Sequence, residues 1–162
     1  MGKQQLTHKN LEKFIEFHKI NAELIFFEEP VMKSKKASEK IKDGIVFKSI
    51  LLMADNMPVL CVLKGDSRVS FEKVKEIVDA KEVRMAKAKE VLEHTGYDIG
   101  GVPPFGHIKK LLVLVDKRLE KLKDRIIYTG GGSHHHLLRI NGEELLNVLK
   151  SLTNSKVVDI EE

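Results

Sequence analysis

The most apolar part of the chain consists of two short runs joined by polar turn residues. Residues 45–54 read IVFKSILLMA and residues 58–64 read PVLCVLK, with Asp55 and Asn56 between them. Continuous apolar runs of this length, bounded by turn residues, are typical of buried strands. The pattern therefore predicts a hairpin of two central β-strands.

Shorter patterns on both sides of this hairpin predict alternating helices and strands. Helical spacing of apolar residues between Leu11 and Ile20 predicts a helix with Asn10 as its N-cap. The order of elements lacks strict βαβ alternation and predicts a mixed α/β fold, a curled, barrel-like mixed β-sheet with flanking helices. Further helices are predicted at 34–44, after Ser70, at 87–96 and after Asn141, and further strands at 22–29, 82–86, 111–116, 125–131 and 136–140, with 156–162 as an edge strand or a tail.

Composition adds limits on size and partners. The 162 residues predict a single domain spanning 1–162, with residues 1–10 and 153–162 as loosely ordered ends. The net charge of +4 is compatible with an RNA or phosphate partner, and equally with an ordinary solvated surface. The single cysteine, Cys61, excludes an internal disulfide and is expected to be a small buried apolar residue. With no signal-peptide pattern and no long apolar run, we expect a cytoplasmic chain that contacts no membrane.

One lysine stands in the middle of the first predicted central strand. Lys48 interrupts a strand face that otherwise carries Val46, Ile50 and Leu52. Burying an unpaired ammonium group is costly, so its surroundings must supply an acid, a group of carbonyls or an open cleft. A lysine at the end of a strand can also reach solvent along its alkyl chain, and position alone leaves both interpretations open.

The stretch GGVPPFGH, residues 100–107, combines flexible and rigid backbone. Gly100 and Gly101 allow positive φ and close approach of a ligand, whereas Pro103 and Pro104 fix their own φ. Such a loop can present main-chain N–H groups to a carbonyl, carboxylate or phosphate. By itself, the motif is more typical of a tight turn between elements.

Taken together, these segments resemble the YbaK-like aminoacyl-tRNA editing family, which includes the insertion domain of bacterial prolyl-tRNA synthetases. The resemblance rests on VFKSILLMA, on TGYDIGGVPPFGH followed by IKKLLVLVD, and on YTGGG, and it extends over roughly residues 22–149. It implies a barrel-like mixed sheet and hydrolysis of the ester that joins a wrong amino acid to the tRNA 3′ end. It also implies mischarged tRNA as the partner, with an aminoacyl-tRNA synthetase as a second candidate partner, and no cofactor.

The same resemblance implies the site residues. Lys48 matches the essential lysine of the family and would hold the phosphate, the terminal ribose or the aminoacyl group. Gly101 lies within the G-x-x-x-P loop, whose N–H groups would bind near the substrate carbonyl, and Tyr128 precedes the second glycine segment, residues 130–132. Catalytic roles are therefore expected for Lys48 and Gly101, and substrate-binding roles for Phe47, Ser49, Gly100, Val102, Pro103, Pro104, Gly130, Gly131 and His107.

The chain departs from the family pattern after the second glycine segment. Well-known members carry a basic and then an acidic residue there, whereas this chain has His134, His135 and His136. Any role of the acidic residue is therefore lost or taken over by a histidine. Imidazoles suggest zinc, but no third ligand stands at a convincing spacing, so no metal site is expected.

Three functions are compatible with these patterns. The first is a trans-editing deacylase with Lys48 and the Gly–Pro loop in one cleft. Its rim would draw on basic residues, namely Lys33, Lys35, Lys36, Lys109 and Lys110. The second is a non-catalytic tRNA- or protein-binding module with the same fold, and the third is a metal-dependent hydrolase at the histidines.

Overall fold

The structure is a computed structural model that describes residues 5–31 and 41–162. The helix predicted at 34–44 lies largely outside these residues. Within the described ranges, no helix has the length and apolar character needed to cross a membrane.

Three of the four α-helices in the described residues begin at a residue whose side chain caps them. Ser70 and Asn141 accept from main-chain N–H groups of the first turn, as the sequence predicts, and Gly96 ends its helix in a left-handed conformation. The first helix differs, because Thr7 rather than Asn10 is its N-cap and Asn10 completes a capping box. The helices are α1 (His8–Phe17), α2 (Phe71–Val78), α3 (Ala88–Thr95) and α4 (Gly142–Leu152), with a 3₁₀ helix at Lys117–Leu122.

The described residues contain eight strands, namely β1 (Ala22–Phe26), β2 (Gly44–Ala54), β3 (Met57–Lys64), β4 (Val83–Met85), β5 (Leu112–Asp116), β6 (Ile126–Gly130), β7 (His136–Asn141) and β8 (Asn154–Val158). They form one mixed sheet, with the order β1-β7-β6-β2-β3-β5-β8 and with β4 paired to β2. Among the described residues, the two end strands β1 and β8 do not pair, so the sheet is not closed into a barrel. Mixed α/β architecture is thus confirmed.

Strand β2 belongs to both halves of the sheet. Residues 44–46 pair in parallel with β6, residues 47–54 pair with β3, and residues 52–54 also pair with β4. Residues 47–51 therefore have a strand neighbour on one side only within the described chain. This is where the sheet leaves space for a cavity.

Apolar side chains cover both faces of the central hairpin. Phe47, Leu51 and Met53 point into the main core, which α1 and α4 cover, whereas Leu52 and Ala54 point into a second core beneath α2. Both faces are buried, as the apolar run predicts for a central strand. Cys61 is fully buried in the second core, and burial raises the pKa of its thiol to about 12.

The C-terminal segment, for which the sequence leaves an edge strand and a tail open, forms a strand. This strand, β8, pairs with β5 at the edge of the sheet.

Candidate functional site

A cavity of about 430 Å³ opens beside the stretch of β2 that lacks a second strand neighbour. Its floor is residues 46–51 of β2. Within this stretch, residues 47–51 lie between the residues that pair with β6 and the residues that pair with β4. At the β4 side the carbonyl of Leu51 accepts a hydrogen bond from the amide of Ala86, which follows β4. The lining is mostly apolar, a common property of small-molecule pockets.

Lys48 lines this cavity and is held by main-chain carbonyls. Its Nζ donates to the carbonyl of Gly65 at 3.1 Å and to that of Ser67 at 2.5 Å, both in the loop after β3. An ammonium group has three donors, so two are used, and no acceptor among the described residues takes the third. The sequence leaves three alternative surroundings open for a buried lysine. Two of them, a group of carbonyls and an open cleft, are present around the half-buried Lys48.

The Gly–Pro loop forms a second wall through Gly100 and Val102. Gly100 has φ +92°, a conformation in which glycine avoids strain, whereas Gly101 is turned away and its N–H donates to the carbonyl of Asp98 at 3.0 Å. Within the described chain, the amides of Gly100 and Val102 donate to no acceptor. Pro103 and Pro104 are buried behind the wall rather than lining it.

The second glycine segment contacts the Gly–Pro loop directly. The amide of Gly132 donates to the carbonyl of Gly101 at 2.9 Å. A Cβ on Gly101 would lie 3.1 Å from the main chain of Ser133, and one on Gly130 would collide with Val102. Gly130 lines the cavity, while Gly131 is packed against the main chain of His136. The glycines thus allow the two segments to touch.

His107 supports the Gly–Pro loop from behind. Its Nε2 is hydrogen-bonded to the carbonyl of Pro103 at 2.7 Å, and its ring meets that of Tyr97 edge-on. Burial lowers the pKa of His107 to about 4, against the opposing effect of this hydrogen bond. The imidazole is therefore neutral near pH 7 and donates to the carbonyl through Nε2. It is not part of the cavity lining.

Two hydroxyl-bearing residues and one aromatic residue complete the floor. Phe47 is buried, and Ser49 and Thr129 line the cavity with it. The Ser49 and Thr129 hydroxyl oxygens are buried and have no hydrogen-bond partner in the described structure. Tyr128, beside Thr129, is turned to the opposite face, where its hydroxyl donates to Asp43 at 2.7 Å and accepts from Arg139. Tyr128 therefore does not line the cavity.

The three consecutive histidines have separate partners. His134 is hydrogen-bonded to the carbonyl of Ile99, and His135 to that of Phe27. His136 alone lines the cavity, and its Nδ1 is 2.6 Å from the Ser133 hydroxyl. Among the residues that the structure describes, no three His, Cys, Asp or Glu side chains group as a metal ion would require.

The predicted site residues are thus divided between the cavity and its support. Those that line it are Phe47, Lys48, Ser49, Gly100, Val102 and Gly130, whereas Gly101, Pro103, Pro104, His107 and Gly131 lie behind it. The sequence did not indicate Met85 or Ile99, two exposed apolar residues at the rim, because nothing local distinguishes them. Lys109 and Lys110 are exposed after the loop, and Lys33, Lys35 and Lys36 lie outside the described residues.

Part of the chain is similar in sequence to a family of known domains. Residues 28–148 match the model of the aminoacyl-tRNA editing domain. The chain is 35% identical over 88 residues to a proline–tRNA ligase of Lactobacillus gasseri and 32% identical over 89 residues to that of Bacillus subtilis. These matches cover 54% and 55% of this chain but only 16% of each ligase, so the chain corresponds to a small part of these relatives.

Solved structures match over nearly the whole chain. A candidate trans-editing enzyme for prolyl tRNA synthetase is 26% identical, with a TM-score of 0.81 and coverage of 96% of both chains. A hypothetical protein is 27% identical, with a TM-score of 0.79 and coverage of 94% of this chain and 99% of the other. The fold therefore recurs as a unit of about this length.

Proposed function

Because the chain belongs to the aminoacyl-tRNA editing domain family, we propose that it hydrolyses the ester of mischarged tRNA in trans in the cytoplasm. The observation that gives this proposal the most support is that Lys48, the Gly–Pro loop and the second glycine segment line the same cavity. The similarity to a candidate trans-editing enzyme supports action on tRNA that another protein has charged. An aminoacyl-tRNA synthetase is a further proposed partner.

In this proposal Lys48 binds the anionic or carbonyl-bearing end of the substrate. The carbonyls of Gly65 and Ser67 fix the ammonium group, so its remaining N–H is oriented before the substrate arrives. A donor that needs no reorganisation stabilises developing negative charge better than a mobile one. Lys48 thus acts as a positioned cation, and no proton transfer is assigned to it.

The amides of Gly100 and Val102 supply the oxyanion donors in the proposed mechanism. They have no acceptor within the described chain and belong to cavity-lining residues, whereas the amide of Gly101 is already bonded to Asp98. Gly101 contributes instead by letting the loop pack against Ser133. The catalytic contribution expected of Gly101 therefore becomes a structural one, with its neighbours as donors.

Water is the proposed nucleophile, and no covalent intermediate forms. An aminoacyl ester is already activated, so an oriented water and a stabilised oxyanion are sufficient. The only cysteine is buried in the second core with a raised pKa and does not line the cavity. His136 provides the polar side chain on the wall where other family members carry an acidic residue, and it contacts the bound aminoacyl end.

A deacylation screen tests this proposal. Wild type and Lys48→Ala would be incubated with tRNAs mischarged with alanine, cysteine, serine and the remaining amino acids. We expect hydrolysis of at least one ester by wild type and a loss of about 10²-fold or more in Lys48→Ala. Lys64→Ala, on the neighbouring strand and outside the cavity, is the matched control. Binding of tRNA without hydrolysis of any ester would favour the binding module, and turnover abolished by a chelator would favour the metal-dependent hydrolase.

A further inference from the structure

The N-terminal helix packs behind the cavity wall, although it lies outside the segment that matches the family model. The rings of His8 in α1 and His136 in the wall are stacked, with centroids 3.8 Å apart and planes inclined by 12°. We propose that His8 is a positioning residue: it holds the ring of His136 in the orientation that contacts the bound aminoacyl end. The inference rests on the proposed function, in which His136 contacts the substrate.

The position of His8 is fixed by the main chain at the start of α1. Thr7 caps the helix, and the Thr7 amide donates a hydrogen bond to Oδ1 of Asn10 at 2.9 Å. Gly132 packs against this turn with φ +89°, and a Cβ there would lie 2.9 Å from the Cα of His8. The second glycine segment and the beginning of α1 are therefore in direct main-chain contact, which leaves the His8 ring little freedom to move away.

His136 is held on its other sides as well. The Ser133 hydroxyl binds Nδ1 at 2.6 Å, and the ring of Phe26, its cross-strand neighbour, lies 5.4 Å away in a tilted arrangement. The His136 ring forms no other hydrogen bond within the described residues. Stacking on His8 and the bond to Ser133 together set the ring orientation, leaving Nε2 as the nitrogen available to a ligand.

The charges around His136 favour the neutral ring. The titratable groups that face it are His8 and Glu12 from α1 and His135 from its own segment. Burial lowers the pKa of His136, His8 and His135 lower it further, and Glu12 opposes them. A proton on the His8 ring disfavours a proton on the stacked ring of His136, which is why His8 lowers the pKa of His136. Removal of the His8 imidazole should therefore make His136 easier to protonate.

Two substitutions separate stacking from charge. His8→Phe keeps an aromatic ring behind His136 but cannot be protonated, whereas His8→Ala removes the ring. With a mischarged tRNA that wild type hydrolyses, we expect His8→Phe to keep KM at pH 8 within about twofold while the acid limb of kcat/KM moves to higher pH. His8→Ala should raise KM at pH 8 by about tenfold, because the ring of His136 loses its support.

The control substitution is at His18, the residue that ends α1. His18→Ala removes an exposed ring that contacts Phe14 and Phe17 instead of the cavity, and it should change neither KM nor the acid limb. An unchanged acid limb in His8→Phe, or a wild-type KM in a folded His8→Ala, would overturn the positioning role.

An NMR titration of His136 in wild type and His8→Phe gives a readout that does not depend on activity. The expected result is a higher pKa in the variant. If wild type hydrolyses no ester, the proposed function fails. This titration still tests the coupling, and identical titration curves would refute it.

Discussion

A Cβ on Gly130 would lie 2.0 Å from the carbonyl oxygen of Val102. The second glycine segment and the Gly–Pro loop therefore meet main chain to main chain at the cavity, and no side chain fits between them. This contact joins two of the segments that line the cavity together with Lys48, and it explains why position 130 requires glycine.

We predict that Gly130→Ala separates these walls. Overpacking typically costs 1–3 kcal/mol, and a methyl group against a main-chain carbonyl should cost at least about 3 kcal/mol in unfolding free energy. Deacylation should fall with it. Gly101→Ala is the graded comparison, because its Cβ would lie 3.1 Å from Ser133 and requires only a small shift. Equal stability of the two variants in denaturant titrations would contradict the close contact.

The buried His107 should make stability depend on pH. Its pKa is about 4 in the folded chain and about 6.5 when unfolded, so the unfolded chain binds more protons between these values. Stability is therefore retained above pH 6.5 and falls by up to about 3 kcal/mol as the pH drops toward 4. Denaturant unfolding of wild type and His107→Gln at several pH values checks this. Replacement of the exposed His18 by Gln should leave the pH dependence unchanged.

A charge network should anchor the C-terminal strand. Arg118 binds the fully buried Asp116 at 2.9 Å and Asp159 at 2.9 Å, and Arg118 lowers the pKa of Asp159. We expect Arg118→Met to lower the melting temperature, since Asp116 remains buried without its cation. Arg84→Met breaks the more exposed pair with Glu90 and should lower the melting temperature much less. Similar melting temperatures for the two variants would contradict this prediction.

The lysines after the Gly–Pro loop should contribute to tRNA affinity. Lys109 and Lys110 are exposed beside the segment that lines the cavity. If each neutralises one phosphate, Lys109→Glu and Lys110→Glu should each raise KM for tRNA and reduce the slope of log affinity against log salt by about 1. Lys121→Glu, on the 3₁₀ helix, is the control of equal charge. A salt slope that is the same in all variants would place the acceptor stem elsewhere.

Several elements were predictable because their signals are local. The apolar runs around Asp55 and Asn56 specified the hairpin, and Ser70 and Asn141 marked helix starts that the structure confirms. The start of the first helix is ambiguous in the sequence, because Asn10 and Thr7 are both good caps, and the structure places the cap at Thr7, where Gly132 packs against the main chain. The single-domain assignment for 1–162 and its loosely ordered ends stays a prediction, although 154–158 form β8.

The sequence alone determined that a lysine stands within a central strand and that a rigid glycine–proline loop exists, since both follow from residue type and spacing. Tertiary structure decided what they do together. Strand β2 pairs with β6 before residues 47–51 and with β4 after them, and only these long-range pairings create the cavity. The same pairings turn Tyr128 away, bring His136 inward and place α1 behind it. Side-chain direction depends on which strands pair and where they diverge, and local sequence does not contain that information.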